Sequence, residues 1–342
     1  MKSIRVDYFD MLRGVAIIFV VAIHSIGSSL SLPSDTFNYN ATIFLRNALN
    51  IAVPIFITIS GYFLSRKSIK NFHDYLNFTS RQITKIYVPV LIWSVVWLLI
   101  NIVTNKGTFI TEFIKLISFR SNEPYYFVFL IIQFYIFLPF LAAINNKKGL
   151  AFSIFFSLIS TLFVLYIRYF SDIELPVIVY GGNSFVYLMF FVLGMYVGSG
   201  NKINITTKSL KCWIVVFYVL SCLESYLLIY IFGQVIDGVS AVRPFSFVFS
   251  LFVIYYLISN KKEKTSKCMV MLGKVSFGVF LTHNFAIIFI NKIILTFINI
   301  PDSLLVFYQA FLIFLVVLSC FLVIKIAKFN IPKKYGKLLG LF

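Results

Sequence analysis

Long apolar runs broken by short polar stretches recur along the whole chain of 342 residues. They fall at roughly 9–30, 41–64, 83–104, 124–144, 150–170, 183–200, 211–232, 242–259, 272–292 and 303–327, each near the length of about 20 residues that lets an α-helix cross a bilayer. The pattern predicts an all-α fold, a polytopic transmembrane helical bundle of about ten spans. The sixth run is the least regular, because Gly181, Gly182, Gly194 and Gly198 interrupt it. No connection is long; the largest run over roughly 65–82 and 105–123, short beside the ~100 residues of a typical soluble domain. The chain therefore reads as one transmembrane domain over 1–342, without a soluble domain, heptad seam, internal repeat or low-complexity segment.

Composition agrees with an integral membrane protein. The chain is 60% hydrophobic and 12% charged, with 41 Phe, whereas a soluble protein carries about twice that charged fraction. A net charge of +18 invites a nucleic-acid reading, and its distribution argues against one. Alternate connections carry 23 of the 30 basic residues. They are Lys2, Arg5 and Arg13, then Arg66, Lys67, Lys70, Arg81 and Lys85, then Lys147, Lys148, Lys202, Lys208 and Lys211. The tally closes with Lys261, Lys262, Lys264, Lys267 and Lys274, and with Lys325, Lys328, Lys333, Lys334 and Lys337. The positive-inside rule then puts both termini in the cytoplasm, consistent with an even number of spans. Lys2 and Arg5 before an apolar run superficially resemble a signal peptide, but the run is long, holds His24 and precedes many others, so it reads as a retained first span. Cys212, Cys222, Cys268 and Cys320 show neither paired nor metal-ligand spacing. The abundance of Lys and Phe hints at an AT-rich bacterial genome by composition alone, and the expected location is a bacterial cytoplasmic (inner) membrane.

Chemistry is sought among the ionisable groups inside the apolar runs, where such groups are costly and mostly line pathways or react. His24 follows Arg13 by eleven residues. Eleven steps of about 100° close to within about 20° of three turns, so the two side chains share one helix face, roughly 16 Å apart along the axis. Asp10 precedes Arg13 by one turn and is placed to pair with it. Gln133, Glu224 and His283 lie at a similar depth in other runs. Gln133 reads as an interhelical hydrogen bond; for Glu224 that reading and a functional one both stand. The two histidines read as functional, because an imidazole exchanges protons near neutral pH. Arg46, Asn50, Pro54 and Thr58 form a stripe in the second run, with Ser60 and Gly61 near its inner end as a packing site or ligand contact. An anionic head on a long thin arm would suit the first run, with phosphates at Arg13 and the reactive end at His24; acyl-coenzyme A has that shape. No P-loop, dinucleotide fingerprint, zinc motif or nucleophile elbow is present, and no metal site is expected.

These residues fall into an order that resembles the acyltransferase-3 family of integral membrane O-acyltransferases, over essentially the whole chain. Asp10-Met-Leu-Arg13-Gly14 with His24 is similar to that family's opening signature. Val53-Pro54-Ile-Phe56-Ile-Thr-Ile-Ser60-Gly61-Tyr62 resembles its second-span block, and Arg81, Lys85 and Pro89 its entry to the third span. Leu193-Gly194 with Gly198 resembles its sixth span, and Val275-Ser276-Phe277-Gly278-Val279-Phe280-Leu281-Thr282-His283 its late histidine element. Tyr126 stands where the family often has Trp, Phe280 where it has Tyr, and Asn284 where it frequently has Pro. The resemblance implies an enzyme that takes an acetyl or other acyl group from cytoplasmic acyl-CoA to a hydroxyl of a surface polysaccharide or its lipid-linked precursor. It implies no permanently bound cofactor, with acetyl-CoA as donor substrate and membrane lipids as surroundings. On that reading His24 and Arg13 are catalytic. Arg13, Arg81, Lys85 and Ser60 contact the donor, and His283, Glu224 and Tyr126 contact the acceptor. His24 serves either as base or as transient acyl carrier. The alternative is a transporter or flippase for a sugar precursor or small solute. It would bring inverted repeats and broken helices in matched halves, which the sequence does not display.

Overall fold

Backbone polar groups inside a bilayer must bond within their own segment, so apolar runs fold as helices wherever proline and glycine permit. The computed structural model describes residues 7–342 apart from 68, 70, 172, 174, 262 and 263; Lys2, Arg5, Lys70 and Lys262 of the charge pattern thus lie outside the described residues. Among the described residues every regular element is helical. In chain order these are α1 (Asp7–Ser25), α2 (Phe37–Leu49), α3 (Ala52–Leu64), α4 (Phe72–Val103), α5 (Phe109–Ile117), α6 (Tyr126–Ile136), α7 (Leu138–Ala143), α8 (Lys147–Phe170) and α9 (Val177–Tyr180). They continue with α10 (Leu188–Gly198), α11 (Thr207–Tyr226), α12 (Val235–Gly238), α13 (Pro244–Ser259), α14 (Lys267–Lys274), α15 (Ser276–Phe297), α16 (Leu305–Asn330) and α17 (Lys333–Leu338). Seven helical stretches among the described residues are long and apolar enough to cross a membrane; α10, α13 and the stretch Glu123–Ile136 are shorter apolar helices.

The backbone departs from unbroken segments at three places. The second predicted run is two helices, because Pro54 cannot donate to the Asn50 carbonyl and the chain turns at Asn50 and Ile51. The fourth breaks at Phe137, just before Pro139 in the first turn of α7. The ninth breaks at Val275, which separates α14 from α15. The sixth run contracts to the eleven residues of α10.

The chain divides into two compact units, Met1–Phe56 with Lys202–Ile326 and Ile57–Asn201 with Ala327–Phe342. In the first, α1 crosses α14 with glycine on both sides. A Cβ on Gly14 would overlap the Met269 carbonyl, and one on Gly273 the Asp10 carbonyl. Small residues let membrane helices approach this closely, and dispersion and packing then hold them. In the second unit Gly61 faces the Phe191 carbonyl and Gly194 the Thr58 carbonyl, by the same device. There α8 turns Ser153, Ser157 and Thr161 inward at a spacing of four, all fully buried, while Phe155 and Phe163 point outward and stay exposed. Small polar residues inside and large apolar ones outside suit a lipid-facing helix. Outside the apolar runs, α5 is tied to α4 through Glu112, which accepts from Asn101 at 2.7 Å and Lys115 at 2.6 Å. Burial raises the Glu112 pKa, and these two hydrogen bonds with the charge of Lys115 together outweigh it, leaving the carboxyl below its ordinary value.

Two outcomes follow from this packing. Replacing Gly273 by Leu should destabilise the protein by about 1–3 kcal/mol or more through overpacking, read as a lowered thermal midpoint in detergent. Gly27→Ala, at a site with open space around it, should leave the midpoint unchanged. Because the folded pKa of Glu112 is depressed, its contribution is present above the ordinary carboxylate pKa and is lost as pH falls through the folded value. The midpoint advantage of wild type over Glu112→Gln should therefore shrink between about pH 5 and pH 3. A constant difference across that window would refute the linkage.

Candidate active site

The first unit brings both histidines together. The helix α1 is continuous from Asp7 to Ser25, so the face shared by Arg13 and His24 survives intact over roughly 16 Å of rise. At its start Arg13 donates to Asp10 at 2.9 Å; Asp10 is fully buried while the guanidinium is 27% exposed. Asp10 thus anchors one edge of a cation that still meets solvent. The crossing of α1 with α14 explains Gly14 as a packing residue beside that arginine.

His24 occupies the last turn of α1 and lies 5.4 Å, ring centroid to centroid, from His283 of α15, with the rings tilted by 48°. His283 is fully buried, and its Nδ1 sits 2.7 Å from the Phe280 carbonyl. A carbonyl only accepts, so this contact assigns the proton to Nδ1 and leaves Nε2 of the neutral ring as an acceptor. That Nε2 is buried with no hydrogen-bond partner. A buried acceptor lacking a partner costs about 1–3 kcal/mol, and such an atom can accept from a hydroxyl or another donor.

Arg46 was legible only as one member of the stripe in the second run. In the fold it leaves α2 to donate through Nη1 to the Ile23 carbonyl at 2.5 Å. A helix end leaves carbonyls without intrahelical partners, and a cation there also complements the macrodipole. The guanidinium therefore secures the end of α1 one residue before His24. Its charge also acts on the His24 ring.

Glu224 has its partners in a buried network of the same unit. Its Oε2 lies 3.5 Å from Arg243, which is fully buried, and the N–H groups of Phe245 and Ser246 in the first turn of α13 face its carboxylate. Arg243 donates to Asn47 Oδ1 at 2.6 Å and to Ser225 Oγ at 2.9 Å. Asn47 Oδ1 also accepts from Ser221 at 2.6 Å. This arrangement fastens α2, α11 and α13 together. Nothing local in the sequence distinguishes Arg243, at the start of the eighth apolar run, from an ordinary loop arginine.

The remaining residues belong to the second unit. Ser60 is half-buried on α3 beside Gly61. The Tyr126 hydroxyl bonds Tyr187, and its ring packs near Gly181. Gln133 donates to the Gly182 carbonyl at 2.6 Å and accepts from the Ser184 N–H at 3.3 Å, so it ties α6 to the turn between α9 and α10 and not, as expected, to another helix. Arg81 and Lys85 are exposed and line one recess on α4.

With this geometry in view, the chain matches the family model for the acyltransferase-3 domain, described as "Acyltransferase domain", over residues 6–325. It is 24% identical over 309 residues to YfiQ of Bacillus subtilis (strain 168), provisionally named a membrane-bound acyltransferase, covering 85% of this chain and 83% of that one. No solved structure matches the chain. The motif residues, the apolar helices and the family match converge on one conclusion: this chain is a multi-pass membrane protein of the acyltransferase-3 family, an enzyme that transfers acyl groups other than amino-acyl groups.

Proposed function

We propose that the protein takes an acyl group, acetyl in the first instance, from cytoplasmic acyl-CoA to a hydroxyl of a surface polysaccharide or its lipid-linked precursor, in a bacterial cytoplasmic membrane. The observation that carries this reading is the imidazole pair of His24 and His283, in which His24 shares one face of α1 with the partly exposed Arg13. His24 acts as general base. It takes the proton of the acceptor hydroxyl as that oxygen attacks the thioester carbonyl, and returns it to the sulfur as the carbon–sulfur bond breaks. An ester and free CoA thiol result, with no net proton change. His283 accepts from the incoming hydroxyl through Nε2 and so orients it. Arg46, held at the end of α1, supplies positive charge where the carbonyl oxygen becomes an oxyanion. Arg13 holds an anionic group of the donor, since a guanidinium suits phosphate better than an ammonium does.

General-base help contributes about 10²–10⁴-fold to a rate. His24→Ala should therefore abolish detectable acylation while the protein still inserts and folds. The measurement is consumption of acetyl-CoA by the purified full chain in detergent, where no transmembrane gradient exists. Acceptor acylation at the wild-type rate in that variant would remove His24 from the chemistry. Arg13→Ala should raise the apparent KM for acetyl-CoA about tenfold or more, as expected for loss of a charge-assisted hydrogen bond. Arg13→Lys should recover only part of it, because lysine cannot bond phosphate through a planar fork. An unchanged KM in both variants would take Arg13 out of the donor site. Spectra of surface glycans from cells with and without the protein identify the acceptor.

A further inference from the structure

Most lysines of this chain are explained by topology, since basic residues at helix ends face lipid headgroups. One cluster is built differently. On α4, Arg81, Lys85, Pro89 and Trp93 follow one another at intervals of four, so they form a slowly drifting stripe along the helix. Arg81 and Lys85 open into a recess of about 400 Å³ whose far wall is Lys334 and Lys337 of α17. Ser80 and Thr84 complete the polar lining, Val88, Pro89 and Leu338 supply its apolar part, and among the described residues no acidic side chain belongs to it. Elements separated by some 250 positions in sequence thus converge four cations on one concavity.

The far wall is secured. Trp93 donates from Nε1 to the Leu339 carbonyl at 3.0 Å, which ties the end of α17 to α4. Gly340 then turns the chain with a φ of +68°, a backbone region that glycine reaches without strain. The turn returns Phe342 across α17, where Gly336 has no Cβ to obstruct its ring, and Leu341 is buried. Lys334 and Lys337 are one turn apart on the helix so fixed. Four like charges held around one hollow repel each other unless an anion sits among them. Nothing in the packing of α17 requires lysine at 334 and 337, since both side chains are exposed.

We propose that α4 and α17 form a phosphate-binding site in which Lys334 and Lys337 join Arg81 and Lys85. A phosphate monoester is the group that four converging donors and cations fit best. Two sources share that chemistry, the nucleotide phosphates of a CoA donor and the headgroup of an anionic lipid. The first rests on the acyl-CoA reading above; the site itself does not.

The test uses the purified full chain in detergent at low ionic strength, with two probes, adenosine 3′,5′-bisphosphate and dioctanoyl phosphatidic acid. The double variant Lys334→Gln/Lys337→Gln should bind at least one probe about tenfold more weakly, the effect of losing two exposed charge pairs. Weaker binding of the bisphosphate assigns the site to the donor, and weaker binding of the phosphatidic acid assigns it to lipid. Raising the salt should weaken wild-type binding as well. Lys325→Gln/Lys328→Gln removes the same charge outside the recess and should leave both affinities unchanged. Unchanged affinity for both probes in the first variant overturns the proposal, and so does equal weakening in the second. His24→Ala, inactive in acyl transfer, should bind both probes as wild type does, so a failed donor assignment and a failed site give different results.

Discussion

Within a bilayer no water completes a broken hydrogen bond, so every polar group on an inner helix face must find its partner in the protein. That constraint organises the first unit. Arg243 has no exposure and spends its donors on Asn47, Ser225 and backbone carbonyls, with Glu224 supplying the balancing charge. Arg46 secures the end of α1, and Asp10 holds Arg13 from below. Where the rule is obeyed the groups are structural ties. One departure from the rule lies at the candidate site: His283 satisfies Nδ1 at a carbonyl and leaves Nε2 buried without a partner, beside His24.

Glycine makes these ties possible. The crossing of α1 with α14 depends on Gly14 and Gly273, each placed against a carbonyl of the opposite helix. Without that close approach Asp10 would not lie buried on the inner side of α1, where it meets Arg13 one turn further along the same helix. The glycine that follows the arginine in the opening motif thus has a mechanical reason, separate from any contact with substrate. In the second unit Gly61 and Gly194 do the same for α3 and α10. The Ser60-Gly61 pair therefore carries a packing duty, whatever Ser60 itself contacts.

Much of this arrangement was legible in the order of residues, and the parts that were not share a cause. The apolar runs, the single face shared by Arg13 and His24 and the pairing of Asp10 with Arg13 all arise within about one helix length, and the breaks near Pro54 and Pro139, which the unbroken runs did not anticipate, have an equally local cause. They depend on periodicity and on the missing N–H of proline, which are local properties. The motif order was enough to recognise the family. The site was less complete: both histidines were visible as buried ionisable groups, but not their 5.4 Å separation. Arg46 and Arg243 looked like ordinary loop or stripe residues, and Lys334 and Lys337 like topology charges.

What the chain determined by itself is therefore the set of apolar runs, their helical character and which side chains share a face, because each follows from spacing along one backbone. Tertiary structure alone decided the partners. It set Arg243 against Asn47 across 196 positions, brought His24 to His283 and closed α17 over α4 through Trp93 and Leu339. Contacts between distant segments depend on which helices pack together and at what depth. That outcome belongs to the sum of many weak packing interactions, and no single stretch of sequence contains it.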